Sequence, residues 1–146
     1  MNKRILLLVF CVQGISCGYS QSKTVHGIWR TFDDNDGRLK SEVKIYEENG
    51  KTFGKVIKLY RLPDEDQDPI CDLCEDYRKD QKVMGMIIME DMELDDDEYK
   101  NGTICDPKNG KIYTCKMWLE DENTLKVRGY IAFLFRTQTW RRLKGT

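Results

Sequence analysis

A chain of 146 residues, with 24 Lys and Arg against 25 Asp and Glu, makes one domain of ordinary size with a single core. Its near-neutral balance argues against a nucleic-acid binder, whose electrostatic footprint is a basic face. No apolar run reaches the roughly 20 residues that a membrane-spanning helix needs.

Residues 1–20 read as an export signal rather than as part of the fold. Lys3 and Arg4 form its positive end, and the apolar run over residues 5–12 is too short for an anchor. Gly18, Tyr19 and Ser20 supply the small-x-small pattern before a cut that leaves Gln21 first. The competing reading has Cys17, after Gly14, Ile15 and Ser16, as a lipid-bearing N-terminus; that signal usually has Leu where Gly14 stands. The expected mature domain is therefore 21–146, with a charge near minus three once Lys3 and Arg4 are gone. Its location is periplasmic or secreted.

The mature chain reads as eight short strands rich in Val, Ile, Tyr, Phe, Trp and Thr. The first is 26–31, followed by a turn through Asp33 and Gly37. The second, 42–47, alternates Val43 and Ile45 with charged neighbours and meets Asn49-Gly50, a strong hairpin signal. The third is 52–59. Residues 60–82 break the pattern with Pro63, Pro69 and seven acidic residues from Asp64 to Asp76, and connections of this length are often functional. The apolar run 83–89 is the fourth strand. Strands at 98–105 and 111–119 flank a turn around Pro107 and Gly110, and 124–131 and 136–143 complete the set. Short strands joined by hairpins indicate an all-β, antiparallel sandwich or barrel, and eight strands close well, leaving room for side chains or one small ligand.

Four cysteines remain in the mature chain, an even count that suits disulfides in an oxidising compartment. Cys105 and Cys115 flank a tight turn, so they are the expected pair, leaving Cys71 with Cys74. Thioredoxin-like chemistry at Cys71 and Cys74 is disfavoured, because Asp68, Asp72, Glu75 and Asp76 would raise a thiol pKa. Zinc is disfavoured by the nine residues between Cys105 and Cys115. Asp64, Asp66 and Asp68, with Asp72 and Glu75, are spaced as in a calcium loop, but Pro69 stands where the turn needs Gly. No metal or cofactor is expected. His26 is the only histidine and stands at the start of the first strand, so a Ser or Cys nucleophile would have to borrow another base. Paired carboxylates are the third reading, for acid and base work, but nothing marks any pair as buried together, and an enzyme is not expected.

Gly27-Ile28-Trp29, together with arginines of the last strand, resembles the signature of the calycin group, which includes the lipocalins. The resemblance implies a Trp closing one end of the barrel under an Arg, whose donors cap free carbonyls while the guanidinium gains cation–π energy. Arg136 is the candidate and Arg141 the second choice. Over residues 25–143 the chain is similar to the domain-of-unknown-function family 2147 of exported bacterial proteins. That similarity rests on GIWRT, VMGMIIMEDM, the CxxC, and the RGYI and RTQTW blocks. It implies a calycin-like barrel and assigns no activity.

The expected function is binding of a small apolar or amphipathic molecule in or at the mouth of the barrel. Candidate lining residues are Phe53, Ile57, Met86 and Ile88 in the first half, and Tyr113, Met117, Tyr130 and Phe133 in the second. The alternative is an envelope protein-interaction module with a filled barrel, using the acidic loop or the segment 131–135 as its surface.

Overall fold

The computed structural model describes residues 23–145. The expected leader over 1–20, its cut before Gln21 and Cys17 lie outside the described residues. Eight strands form one closed antiparallel barrel in simple sequence order. They are β1 (Gly27–Phe32), β2 (Leu39–Glu48), β3 (Lys51–Leu59), β4 (Ile87–Asp95), β5 (Glu98–Asp106), β6 (Lys111–Asp121), β7 (Thr124–Ile131) and β8 (Leu134–Arg142). Closure removes the free edges that an open sheet of this size would present.

Turn chemistry sets most of the hairpins. Asn49 and Gly50 both take positive φ, 51° and 76°, as the two-residue β2–β3 turn requires. The β7–β8 turn lacks such residues: Ala132 takes φ 51° and Phe133 follows it, between the paired Ile131 and Leu134. That missing signal is why the last strand, expected from residue 136, begins two residues earlier.

The fourth strand is displaced. The apolar run 83–89 enters as a turn, with Gly85 at φ 84° and the Met86 N–H donating to the Val83 carbonyl. Strand pairing begins at Ile87 and continues through the acidic residues to Asp95. Met89 and Met92 are fully buried there, so burial of one face outweighs the poor β-propensity of the Glu and Asp between them.

Alternate strands point the same way, so the hairpins β2–β3, β4–β5 and β6–β7 gather at one end with the start of β1 and the end of β8. That end is plugged: Trp29, Val43, Met92, Met117 and Leu125 are all 0% exposed. The opposite end carries the β1–β2 loop, the long connection over residues 60–86, the β5–β6 turn and the β7–β8 hairpin.

Candidate functional site

At the plugged end Trp29 donates its Nε1–H to the Val25 carbonyl at 2.7 Å. The Arg142 guanidinium lies over its ring, 4.2 Å from the centroid. The same guanidinium donates to the carbonyls of Glu122 (2.7 Å), His26 (2.9 Å) and Thr24 (2.6 Å). Gly27 permits this crossing: its φ is 135°, and a Cβ there would lie 2.8 Å from Arg142 Nη1. The arginine over the tryptophan is therefore neither Arg136 nor Arg141. Register decides it, since Trp29 pairs with Arg142 and Arg30 with Arg141. Arg141 donates to Thr124 Oγ1, and Arg136, at the far end of β8, forms an ion pair with Asp34.

Above the plug, the open half of the barrel encloses a cavity of about 520 Å³. Its walls are apolar, formed by Val56, Ile88, Ile104, Tyr113, Val127 and Trp140. Thr31 and Ser41 add a polar spot, their hydroxyls 2.7 Å apart. At the rim Arg38 bonds Glu65 at 2.6 Å, tying the β1–β2 loop to the long connection. The Glu65 carboxyl lies below its ordinary value, first because the Leu62 N–H donates to it and then because of Arg38. Lys40, Arg61 and Lys108 also border the opening.

The sequence candidates divide among four places. Ile88 and Tyr113 line the cavity. Met86 and Met117 are buried, 6% and 0% exposed, but do not border it. Phe53, Ile57 and Tyr130 are only half buried and also lie outside the lining. In β3 the inward residues are Thr52, Gly54 and Val56, so Phe53 stacks on Tyr46 with centroids 5.9 Å apart. Ile57 falls where the β2–β3 register shifts, between the pairs Glu42–Lys58 and Val43–Val56. Phe133 is 90% exposed at the hairpin tip.

The long connection is ordered rather than loose. Arg78, 1% exposed, sends its Nε–H to the Ile87 carbonyl at 2.8 Å and pairs with Asp76 and Glu90. A bridge between Ile70 and Lys82 closes its base. Sequence reasoning missed Arg78, because one arginine among acids reads as solvated surface. The calcium-spaced acids do not converge: Asp68 pairs with Lys82 at 2.5 Å, and Asp66 Oδ1 accepts the Asp68 N–H.

Cys71 and Cys74 form a disulfide, as expected, whereas Cys105 and Cys115 remain buried free thiols. The expected Cys105–Cys115 bond is corrected by register: Cys105 faces Ile112 and Cys115 faces Gly102. Three rungs at about 3.3 Å each separate the two cysteines along the ladder, beyond the roughly 7 Å between Cα atoms that a disulfide spans.

An eight-stranded up-and-down barrel, plugged under an arginine-stacked tryptophan and hollow at its other end, defines a lipocalin-type fold. Over residues 27–142 the chain matches the family described as uncharacterized protein conserved in bacteria, DUF2147, and it belongs to that family. Among solved structures it is similar to a protein from the human pathogen Helicobacter pylori described as belonging to the lipocalin family. The TM-score is 0.69 at 21% identity, covering 83% of this chain and 84% of that one. No curated protein matches the chain.

Proposed function

We propose that this is an exported binding protein rather than an enzyme, holding a small apolar or amphipathic molecule in the open half of its barrel. The observation that carries the reading is the cavity of about 520 Å³ above a sealed floor. Its size falls within the roughly 300–1,000 Å³ usual for ligand sites, and its apolar wall with a few polar groups matches their usual chemistry. An apolar body fits against Ile88, Ile104 and Trp140, and a polar head meets Lys40, Arg61 and Lys108 at the rim. The Cys71–Cys74 disulfide supports an oxidising compartment, and the family is bacterial.

Native mass spectrometry of the protein taken from the envelope of the cells that make it, before and after denaturation, tests the reading. A small molecule lost on denaturing supports a carrier and gives its mass. A chain that carries none, and shows no uptake of anilinonaphthalene sulfonate, overturns it.

A second reading rests on the β7–β8 hairpin, where Phe133 is 90%, Leu134 61% and Phe135 61% exposed. Contiguous apolar surface of this kind marks contact sites, and here it suits docking of an envelope protein. Loss of a co-purifying partner on Phe133→Ser, with the cavity still occupied, favours this second reading.

A further inference from the structure

Three sulfurs from distant parts of the chain meet beside the cavity. Cys71 and Cys74 come from the long connection and Cys105 from the end of β5. Cys74 Sγ lies 3.7 Å from Cys105 Sγ, and all three Sγ atoms lie within 4.8 Å of one another. The three residues are 0%, 2% and 3% exposed. The approach is set by backbone packing: Gly110, φ 70°, lies so close under the loop that a Cβ there would be 2.0 Å from the Leu73 carbonyl oxygen and 2.6 Å from the Cys74 nitrogen. Cys115 is outside the cluster.

Two sulfurs in plain van der Waals contact also stand about as far apart as those of Cys74 and Cys105, so the spacing permits a shared ion without demanding one. Sulfurs bound to one zinc-sized ion at about 2.3 Å stand about 3.8 Å apart along the edge of a tetrahedron, close to the Cys74–Cys105 separation. Two cysteines at CxxC spacing, once reduced, are a usual half of such a site. The fold thus supplies a third sulfur that sequence spacing assigned to a different partner.

We propose that Cys71, Cys74 and Cys105 form a redox-gated site for one soft metal ion, shut while Cys71 and Cys74 are joined and opened when a dithiol reduces them. The dithiol gives two electrons and two protons to the Cys71–Cys74 bond and becomes a cyclic disulfide, leaving two protein thiols. A divalent ion then binds the three sulfurs and displaces three protons, so the bound set carries a net charge of minus one. Cys105 also borders the cavity, so an ion here sits in the cavity wall. The site does not depend on what the cavity carries.

The test uses the full chain with Cys11→Ser and Cys17→Ser, reduced by a dithiol, freed of it without air, and titrated with Cd²⁺ alone. Thiolate-to-cadmium absorption and released protons are recorded, with far-UV circular dichroism to confirm folding. One Cd²⁺ per chain with three protons released, no uptake before reduction, and at least about tenfold weaker binding in Cys105→Ser support the site, with Cys115→Ser binding like its parent. Release of two protons from the unmutated site overturns it, as does undiminished affinity in Cys105→Ser. The proton count needs no variant at Cys105, so it stands even if that variant fails to fold.

Discussion

Arg142 couples two kinds of interaction in one side chain, a stack on Trp29 and three bonds to carbonyls at the plugged end. Cutting it to Ala strips the ring of its cation and leaves acceptors without donors. Arg142→Ala should therefore cost about 3 kcal/mol, read as a lower urea midpoint. Arg136→Ala removes only an exposed pair with Asp34 and should shift the midpoint by less than about 0.5 kcal/mol. The Gly27-Ile28-Trp29 half of this arrangement was legible in the sequence, because only glycine tolerates the backbone there. The arginine was not, since its identity depends on register across the seam. Cys115 behaves differently again: burial pushes its thiol from an ordinary 9.0 up to about 12. Between those values the unfolded chain holds fewer protons than the folded one, so stability is unaffected below about pH 9 and falls as pH rises toward 12. The slope from this group is at most about 1.4 kcal/mol per pH unit. Urea midpoints measured over that range should show less alkaline loss in Cys115→Ala than in the parent.

Among elements, the strands were easiest to read where turn residues punctuate them, as at Asn49-Gly50. They were hardest where burial alone decides, as in β4, whose acidic outer face hides Met89 and Met92 on the inner one. In β3 the larger apolar residues, Phe53 and Ile57, suggested the wrong face, because the inward positions belong to the smaller Thr52, Gly54 and Val56, with Met89 packing over Gly54. The long connection is the element most open to perturbation, since it docks through Arg78 and through the close approach at Gly110. Gly110→Ala places a methyl against the Leu73 carbonyl and forces a left-handed backbone on Ala. The expected result is a lifted loop on an intact barrel: Cys105 alkylates at least about tenfold faster while far-UV circular dichroism is unchanged. Unaltered alkylation would mean that the loop is held elsewhere.

For the whole molecule, barrel closure followed from counting strands, but an empty upper half did not, because the same apolar residues would equally fill a core. The division arises from distribution: Trp29, Met92, Met117 and Leu125 crowd the floor, while the upper wall, Tyr113 and Trp140 apart, is built from the shorter Val56, Ile88, Ile104 and Val127. Ile104→Trp should occupy that space, lowering uptake of anilinonaphthalene sulfonate at least about fivefold with a stability change under about 2 kcal/mol. Equal uptake by the variant would place the dye elsewhere, with the apolar hairpin the first surface to examine.

The barrel is sealed by its shortest ladder, the pairs Trp29–Arg142 and Arg30–Arg141. The fastening bonds from Arg142 reach back 116 and 118 positions along the chain, to His26 and Thr24. Such distant pairing is slow to form. A polypeptide emerging from a ribosome therefore has every other hairpin available before it has this one. Until the last strand is synthesised, β1 and β7 remain open edges, exposed to capture by chaperones or by other nascent chains. The arginine that closes the floor thus also reports that the eighth strand has been made, and a chain cut just before residue 142 would keep the four described hairpins β2–β3, β4–β5, β6–β7 and β7–β8 and lack the clasp.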